Sequence, residues 1–417
     1  MTDRYEVLVR NAHLRHHHHG TVDIGISAGR IAAIAPHLDL TAQTVIDAGG
    51  GLVTESFVNP HLHLCKVYSL DLLDDEALIA YHGEGMGQAM TAIELAAQVK
   101  ERLTCESMLK NLRRAVAEAA LYGCTHIRAF ADVDSKAGLE GVRALLLGKE
   151  AFKGIVDLQV VAFAQDGIVR EPAAAELMRA AISMGADVVG GIPWIEYTEA
   201  DMDAHIRFIF DLAEEFDRPV SMLVDDAGDP GLRTLEKMAV ETIRRNRQGR
   251  SLAHHARAMS LYHRPYLEKV IALMKKAQMG LVSDPHTGPL HARVKELLHE
   301  GVLVCLGQDD ISDAYYPFGR NNMLEVGFIC AHLLWMTTRQ DIQVLYDMIT
   351  TRAAQAIGLE QFALAVGNPA NLVVLDAPNE LEAFRYHAAP RCVISHGQVV
   401  DNRKIAAMRQ YDKLQID

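Results

Sequence analysis

Residues 51–63 read Gly-Leu-Val-Thr-Glu-Ser-Phe-Val-Asn-Pro-His-Leu-His, a β-rich run that ends on two imidazoles, His61 and His63, separated by a leucine. Side chains two apart in a strand share a face, so both rings can present a nitrogen to one metal ion. Such a pair is weak evidence alone, and its weight depends on what else the chain places at strand ends. Seven further β-rich runs follow, over residues 126–133, 156–165, 187–193, 219–226, 251–256, 280–285 and 302–310, with helical stretches between them. With residues 56–63 they make eight βα units, which predicts an α/β fold of the (β/α)8 TIM-barrel type with functional residues at the C-terminal strand ends.

The flanks read differently. Tyr5–Arg10, Thr21–Ile26, Leu372–Asp376 and Arg391–Val400 are short alternating runs with glycine turns, so the two chain ends are expected to pair into a small β-sandwich. The resulting organisation is residues 1–55 and 368–417 for the sandwich and 56–367 for the barrel with its active site. At 417 residues and 49% hydrophobic content the chain has ample core. Its net charge of −13, with no Lys/Arg block, argues against nucleic acid and anionic membranes as partners and favours a small molecule. The N-terminus lacks a signal-peptide layout and no apolar run is long enough to span a bilayer, so a cytoplasmic chain is expected. Six cysteines without a C-x-x-C spacing suit reduced, mostly buried thiols.

Several polar residues fall at the predicted strand ends: Lys66, Gln165, Asp225-Asp226, His254-His255 and Asp309-Asp310. Each has a structural reading too. A histidine in an apolar strand is commonly a core residue, Asp-Asp after a strand is commonly a turn or cap, and strand alternation lets only one of His254 and His255 face the barrel axis.

The segments FVNPHLHLCK (57–66), VDLQVVAFAQDGI (156–168), GADVVGGIPWIEYT (185–198), LAHHARAMS (252–260), GQDDISDAYYPFGRNNMLEV (307–326) and GNPANLVVLD (367–376) resemble the amidohydrolase superfamily. The resemblance is strongest to the branch that holds bacterial cytosine deaminases and N-isopropylammelide isopropylaminohydrolases. It implies one divalent ion, Zn or Fe, held by His61, His63 and Asp309, with Asp309 also accepting a proton from the attacking water. It further implies that His255 stabilises the attacked carbon's oxygen, that Asp226 passes the proton to the leaving nitrogen, and that Gln165, Asp310 and Lys66 orient the substrate. The implied activity is hydrolysis of a C–N bond in a small nitrogen heterocycle by metal-bound hydroxide, and chains of this class often form homo-oligomers.

The sequence also departs from that pattern. Leu223 stands where the relatives carry a third histidine ligand, and Asp226 replaces a glutamate with a carboxylate one methylene shorter. Cys65, Phe130, Ala131 and Trp194 replace polar residues, and Trp194 offers a ring to stack on a planar substrate. Two readings remain open here. One is a hydrolase with an altered metal site; the other is a metal-independent or metal-poor barrel acting as a lyase, an isomerase or a binding protein. The run His16–His19 is expected to be a surface turn that binds metal adventitiously.

Overall fold

The computed structural model describes residues 4–16, 20–72, 79 and 89–409. Five strands come first: β1 (Arg4–Leu14), β2 (Val22–Ser27), β3 (Arg30–Ala35), β4 (Thr41–Asp47) and β5 (Leu52–Glu55). The barrel follows with β6 (Phe57–Leu62), β7 (Cys124–Asp132), β8 (Asp157–Ala164), β9 (Val188–Gly191), β10 (Val220–Val224), β11 (Ser251–His255), β12 (Gly280–Ser283) and β13 (Val304–Leu306). Three strands close the chain: β14 (Leu372–Val374), β15 (Cys392–Ser395) and β16 (Gln398–Val399).

β6 to β13 form one parallel sheet in chain order, so all eight expected barrel strands are present. The last is shorter than the predicted 302–310, and beyond it Asp309, with a left-handed φ of 68°, makes an isolated parallel bridge to Leu62. Barrel closure falls at the site itself. The Asp309 N–H donates to the His61 carbonyl at 2.9 Å, and the His63 N–H donates to the Asp309 carbonyl at 2.8 Å.

Every residue of β7 and of β11 is buried, as expected for strands with packed side chains inside and helices outside. The helix Cys105–Leu121 shows how that cover forms. A Thr104–Ser107 capping box starts it, and Met108, Leu112, Ala115, Val116, Ala119 and Ala120 recur at helical spacing on its buried face.

The chain ends form a second, mixed sheet whose hydrogen bonding is continuous through the long β1. One part of β1 pairs with β2 and β4, while His13 and Leu14 pair with β5. β5 then pairs with β14, so the two ends share one sheet and one core that includes Val9, Ile24, Ile26, Val53, Leu372 and Ile394. His16 is exposed in a turn after β1, and His17–His19 lie outside the described residues. All six cysteines are free, and no described helix is long and apolar enough to cross a membrane.

Candidate active site

Closure of the barrel sets the geometry of the imidazoles. The Asp309 Oδ1 atom lies 3.0 Å from His61 Nε2, 3.9 Å from His63 Nε2 and 3.7 Å from His255 Nε2, and all four residues are buried. Two donors bound to one ion at usual lengths can stand no more than about 4.3 Å apart. All three separations to Asp309 lie inside that limit, and the four donor atoms stand within 4.8 Å of one another, a grouping compatible with a single divalent ion. Gly307 permits the close approach: a Cβ there would sit 2.5 Å from Asp284 Oδ1 and 2.8 Å from the His61 Cβ.

The expectation that only one of His254 and His255 turns inward is corrected. Their rings lie 4.6 and 4.9 Å from the His61 ring. His255 leaves β11 with a φ of 65°, and this left-handed residue breaks the strand's alternation. Leu223 on β10 is the register partner of His254 and lines the pocket, so the third imidazole near Asp309 comes from β11 instead.

Two polar side chains hold the far side of Asp309. Thr287 Oγ1 donates to Asp309 Oδ2 at 2.6 Å, and the buried Arg257 donates to Asp226 Oδ1 at 2.8 Å, to Thr287 Oγ1 at 2.6 Å and to Asp309 Oδ2 at 3.4 Å. Burial would push the Asp309 carboxyl up, but the neighbouring His255, His61 and Arg257 hold it well below the usual carboxylate range. Burial alone would lower His255; Asp226 and Asp309 overcome it and raise the imidazole above its ordinary value. His63 and His254 go the other way, lowered by burial and by neighbouring positive groups. Asp284 Oδ2 stands 3.3 Å from His255 Nδ1 and backs that ring.

Above this cluster lies a small cavity of ≈ 20 Å³, whose lining includes Lys66, Gln165, Trp194, Leu223, Asp226 and Asp310. Every expected substrate-binding residue therefore meets the ligand cluster at one mouth. Lys66 Nζ donates to Gln165 Oε1 at 3.0 Å and sits 4.8 Å from the Tyr315 ring centroid. Burial disfavours its charge, but Asp132 and Asp310 raise it, so Lys66 stays a cation. Burial beside Asp309 and Asp313 pushes the Asp310 carboxyl well above its ordinary value.

A family model described as the amidohydrolase family matches residues 44–401. The chain belongs to the amidohydrolase family. It is 30% identical to the N-isopropylammelide isopropyl amidohydrolase of Pseudomonas sp. (strain ADP), over 96% of this chain and 98% of that protein. Among solved structures, 5-methylcytosine deaminase from Klebsiella pneumoniae liganded with 5-fluorocytosine superposes with a TM-score of 0.86 at 32% identity, covering 94% of this chain and 97% of that one. N-isopropylammelide isopropylaminohydrolase from Burkholderia multivorans shares the fold, with a TM-score of 0.82 at 24% identity over 94% of this chain and 97% of that one.

Within this amidohydrolase frame, sequence reasoning missed Arg257, Thr287 and Asp284. Asp284 follows β12 and was open to the same strand-end rule that selected Asp309. Arg257 lies two residues past His255 in an otherwise apolar run, a weaker signal; Thr287 carried none.

Proposed function

We propose that this amidohydrolase cleaves a C–N bond of a small planar nitrogen heterocycle, using one divalent ion, Zn or Fe, held by His61, His63, His255 and Asp309. The observation that carries the reading is the convergence of three Nε2 atoms on Asp309 Oδ1 beneath a pocket lined by Lys66, Gln165, Trp194 and Asp310. A divalent ion at such a site acts as a Lewis acid and lowers the pKa of water toward neutrality.

The chain's own groups divide the remaining work. Asp309, kept ionised by its cationic neighbours, accepts the proton of the attacking water. Asp226 passes a proton to the leaving nitrogen, and Arg257 fixes where that carboxylate points. His255 Nε2 lies beside Asp309 and Nδ1 faces Asp284, so its part in this reading is to hold the ion and not to donate to the developing oxygen. Asp310 favours its protonated form, which suits it to donate a hydrogen bond to an unprotonated ring nitrogen. Lys66 and Gln165, hydrogen-bonded to each other, address a ring oxygen or amide edge, and Trp194 stacks on the ring face.

The metal-poor reading draws on a different observation. Arg257 already places a buried guanidinium against Asp226 and Asp309, and Leu223 supplies no lone pair. The deciding experiment is metal analysis of protein purified without chelator, with release of ammonia or alkylamine followed over a panel of aminopyrimidines and aminotriazines, with and without chelator. Turnover that chelation abolishes and Zn or Fe restores is expected. Full turnover in metal-free protein would transfer the case to the second reading, and no C–N cleavage by metal-loaded protein on any panel member would sink the first.

A further inference from the structure

At the opposite end of the barrel, three metal-ligating side chains that take no part in the proposed reaction converge between the two sheets. His126 is the third residue of β7, and its register partner is Asp157, the first residue of β8. His396 reaches them from the two-residue turn joining β15 to β16, where His396 and Gly397 have φ of 49° and 76°. Asp157 Oδ2 lies 3.0 Å from His396 Nε2 and 3.5 Å from His126 Nε2, and the three donors all stand within 4.8 Å of one another.

We infer that His126, Asp157 and His396 form a second divalent-metal site, of the Zn class, that ties the β15–β16 turn to the N-terminal face of the barrel. Two imidazoles and one carboxylate are a borderline donor set suited to Zn, with a fourth position left for water. The positions of the donors are braced from behind. His126 Nδ1 is hydrogen-bonded to Thr125 Oγ1 at 2.8 Å, and Thr125 Oγ1 to Ser56 Oγ at 2.6 Å, the outer-shell contact that fixes a ligating ring. In the tautomer that donates Nδ1–H to Thr125, the Nε2 lone pair faces the Asp157 carboxylate, and a cation between them would satisfy both. The turn is held as well: the His396 N–H donates to Asn371 Oδ1 at 2.8 Å, and the Gly397 N–H donates to the Ala370 carbonyl at 2.9 Å.

The surroundings allow an ion to enter. His126 and Asp157 line a cavity of ≈ 290 Å³, and the side chains of Asp157 and His396 are each 41% exposed. Two lysines share that cavity, but Lys149 is turned to Asp187 at 2.7 Å and Lys153 to Glu150 at 3.6 Å. In the ion-free state the His396–Asp157 hydrogen bond holds the same junction; binding exchanges its proton for a metal ion. At the N-terminal face of a barrel, such an ion serves stability.

The test compares wild-type protein with His396→Gln, both stripped by chelator, dialysed and titrated with Zn²⁺. The expected result is one equivalent less bound by the variant, a smaller Zn²⁺-induced rise in apparent Tm, and unchanged turnover. Histidines 16–19 are common to both proteins and cancel in the difference. Equal stoichiometry and equal thermal response would overturn the proposal and leave the cluster as an ion pair alone. Because the variant could fold poorly, crystals of the wild type soaked in Zn²⁺ give an independent answer. An anomalous peak within about 2.2 Å of all three donors is required, and its absence while the His61–His63 site is loaded refutes the assignment.

Discussion

Arg257→Met isolates the electrostatic balance beneath the pocket. The guanidinium is almost fully buried and donates to Asp226 and Thr287, with Asp309 Oδ2 at 3.4 Å. Methionine fills much of the stem volume without the charge, leaving two buried carboxylates short of a partner. Breaking a buried pair from one side costs about 3–5 kcal/mol. With an unfolding entropy near 2 cal/mol/K per residue, a chain of this length loses about 1 °C of Tm per kcal/mol, so metal-free variant should melt about 3–6 °C lower. The same substitution removes a positive charge from beside the proposed ion site. Two charges about 4 Å apart interact by roughly 4 kcal/mol at an effective dielectric of about 20. Even a third of that relief tightens Zn²⁺ binding about tenfold. Differential scanning calorimetry of stripped and Zn²⁺-loaded proteins, with competition titration against a coloured chelator, reads both quantities. A stripped variant that melts with the wild type refutes the compensating role of Arg257. A lower Tm with weaker Zn²⁺ binding would show instead that Arg257 chiefly positions Asp309.

Leu223→His places an imidazole one strand from His255, and Zn²⁺ affinity should rise at least about tenfold; equal affinity in equilibrium dialysis would show that the pocket has closed around the leucine. Metal affinity should also depend on pH through His255, whose proton must leave before Nε2 can ligate. Because its pKa is raised above the ordinary value, affinity should climb up to tenfold per unit through and beyond pH 6.5, then flatten once the imidazole is neutral, as calorimetric titration in several buffers would reveal. The third expectation concerns His126 in metal-free protein, where burial lowers the imidazole to about 4. The unfolded chain takes up this proton near pH 6.5 and the native chain does not, so the stability linked to it is complete above pH 6.5 and lost as pH falls toward 4. The shift corresponds to on the order of 3 kcal/mol. A His126→Phe variant that folds should show a shallower acid-side loss of Tm, and an identical slope would discount the burial effect.

The barrel was legible because its strands are continuous apolar runs bounded by helical periodicity, and because His61, His63 and Asp309 obey the strand-end rule. What escaped reading depended on backbone conformation and long-range contact. Asp309 and His255 both carry positive φ, which no residue-type pattern at those positions announces and which brings His255 against Asp309 despite strand alternation. The continuity of the terminal sheet through β1 needed the pairing of His13 and Leu14 with β5. Arg257, Thr287 and Asp284 are separated from Asp309 by 22 to 52 residues in sequence, and only barrel closure brings their strand ends together.

Phe130, Leu223 and His254 are physically connected. Phe130 packs its ring 4.4 Å from His61, 5.3 Å from His63 and 5.1 Å from His254, beside imidazoles whose Nδ1 atoms have no hydrogen-bond partner among the described residues. Ligating histidines are ordinarily aimed by a hydrogen bond on the opposite nitrogen; under the proposed function, aromatic packing would aim His61 and His63 instead. Leu223 continues that apolar lining across β10 and is the register partner of His254, a histidine with neither ring nitrogen bonded to a described residue. Leaving a buried polar group unmatched costs about 1–3 kcal/mol. A polar residue at 223 is therefore placed to repair His254 as well as to ligate. A gain in stability of Leu223→His without any gain in metal affinity would assign a histidine at 223 to the first of those roles.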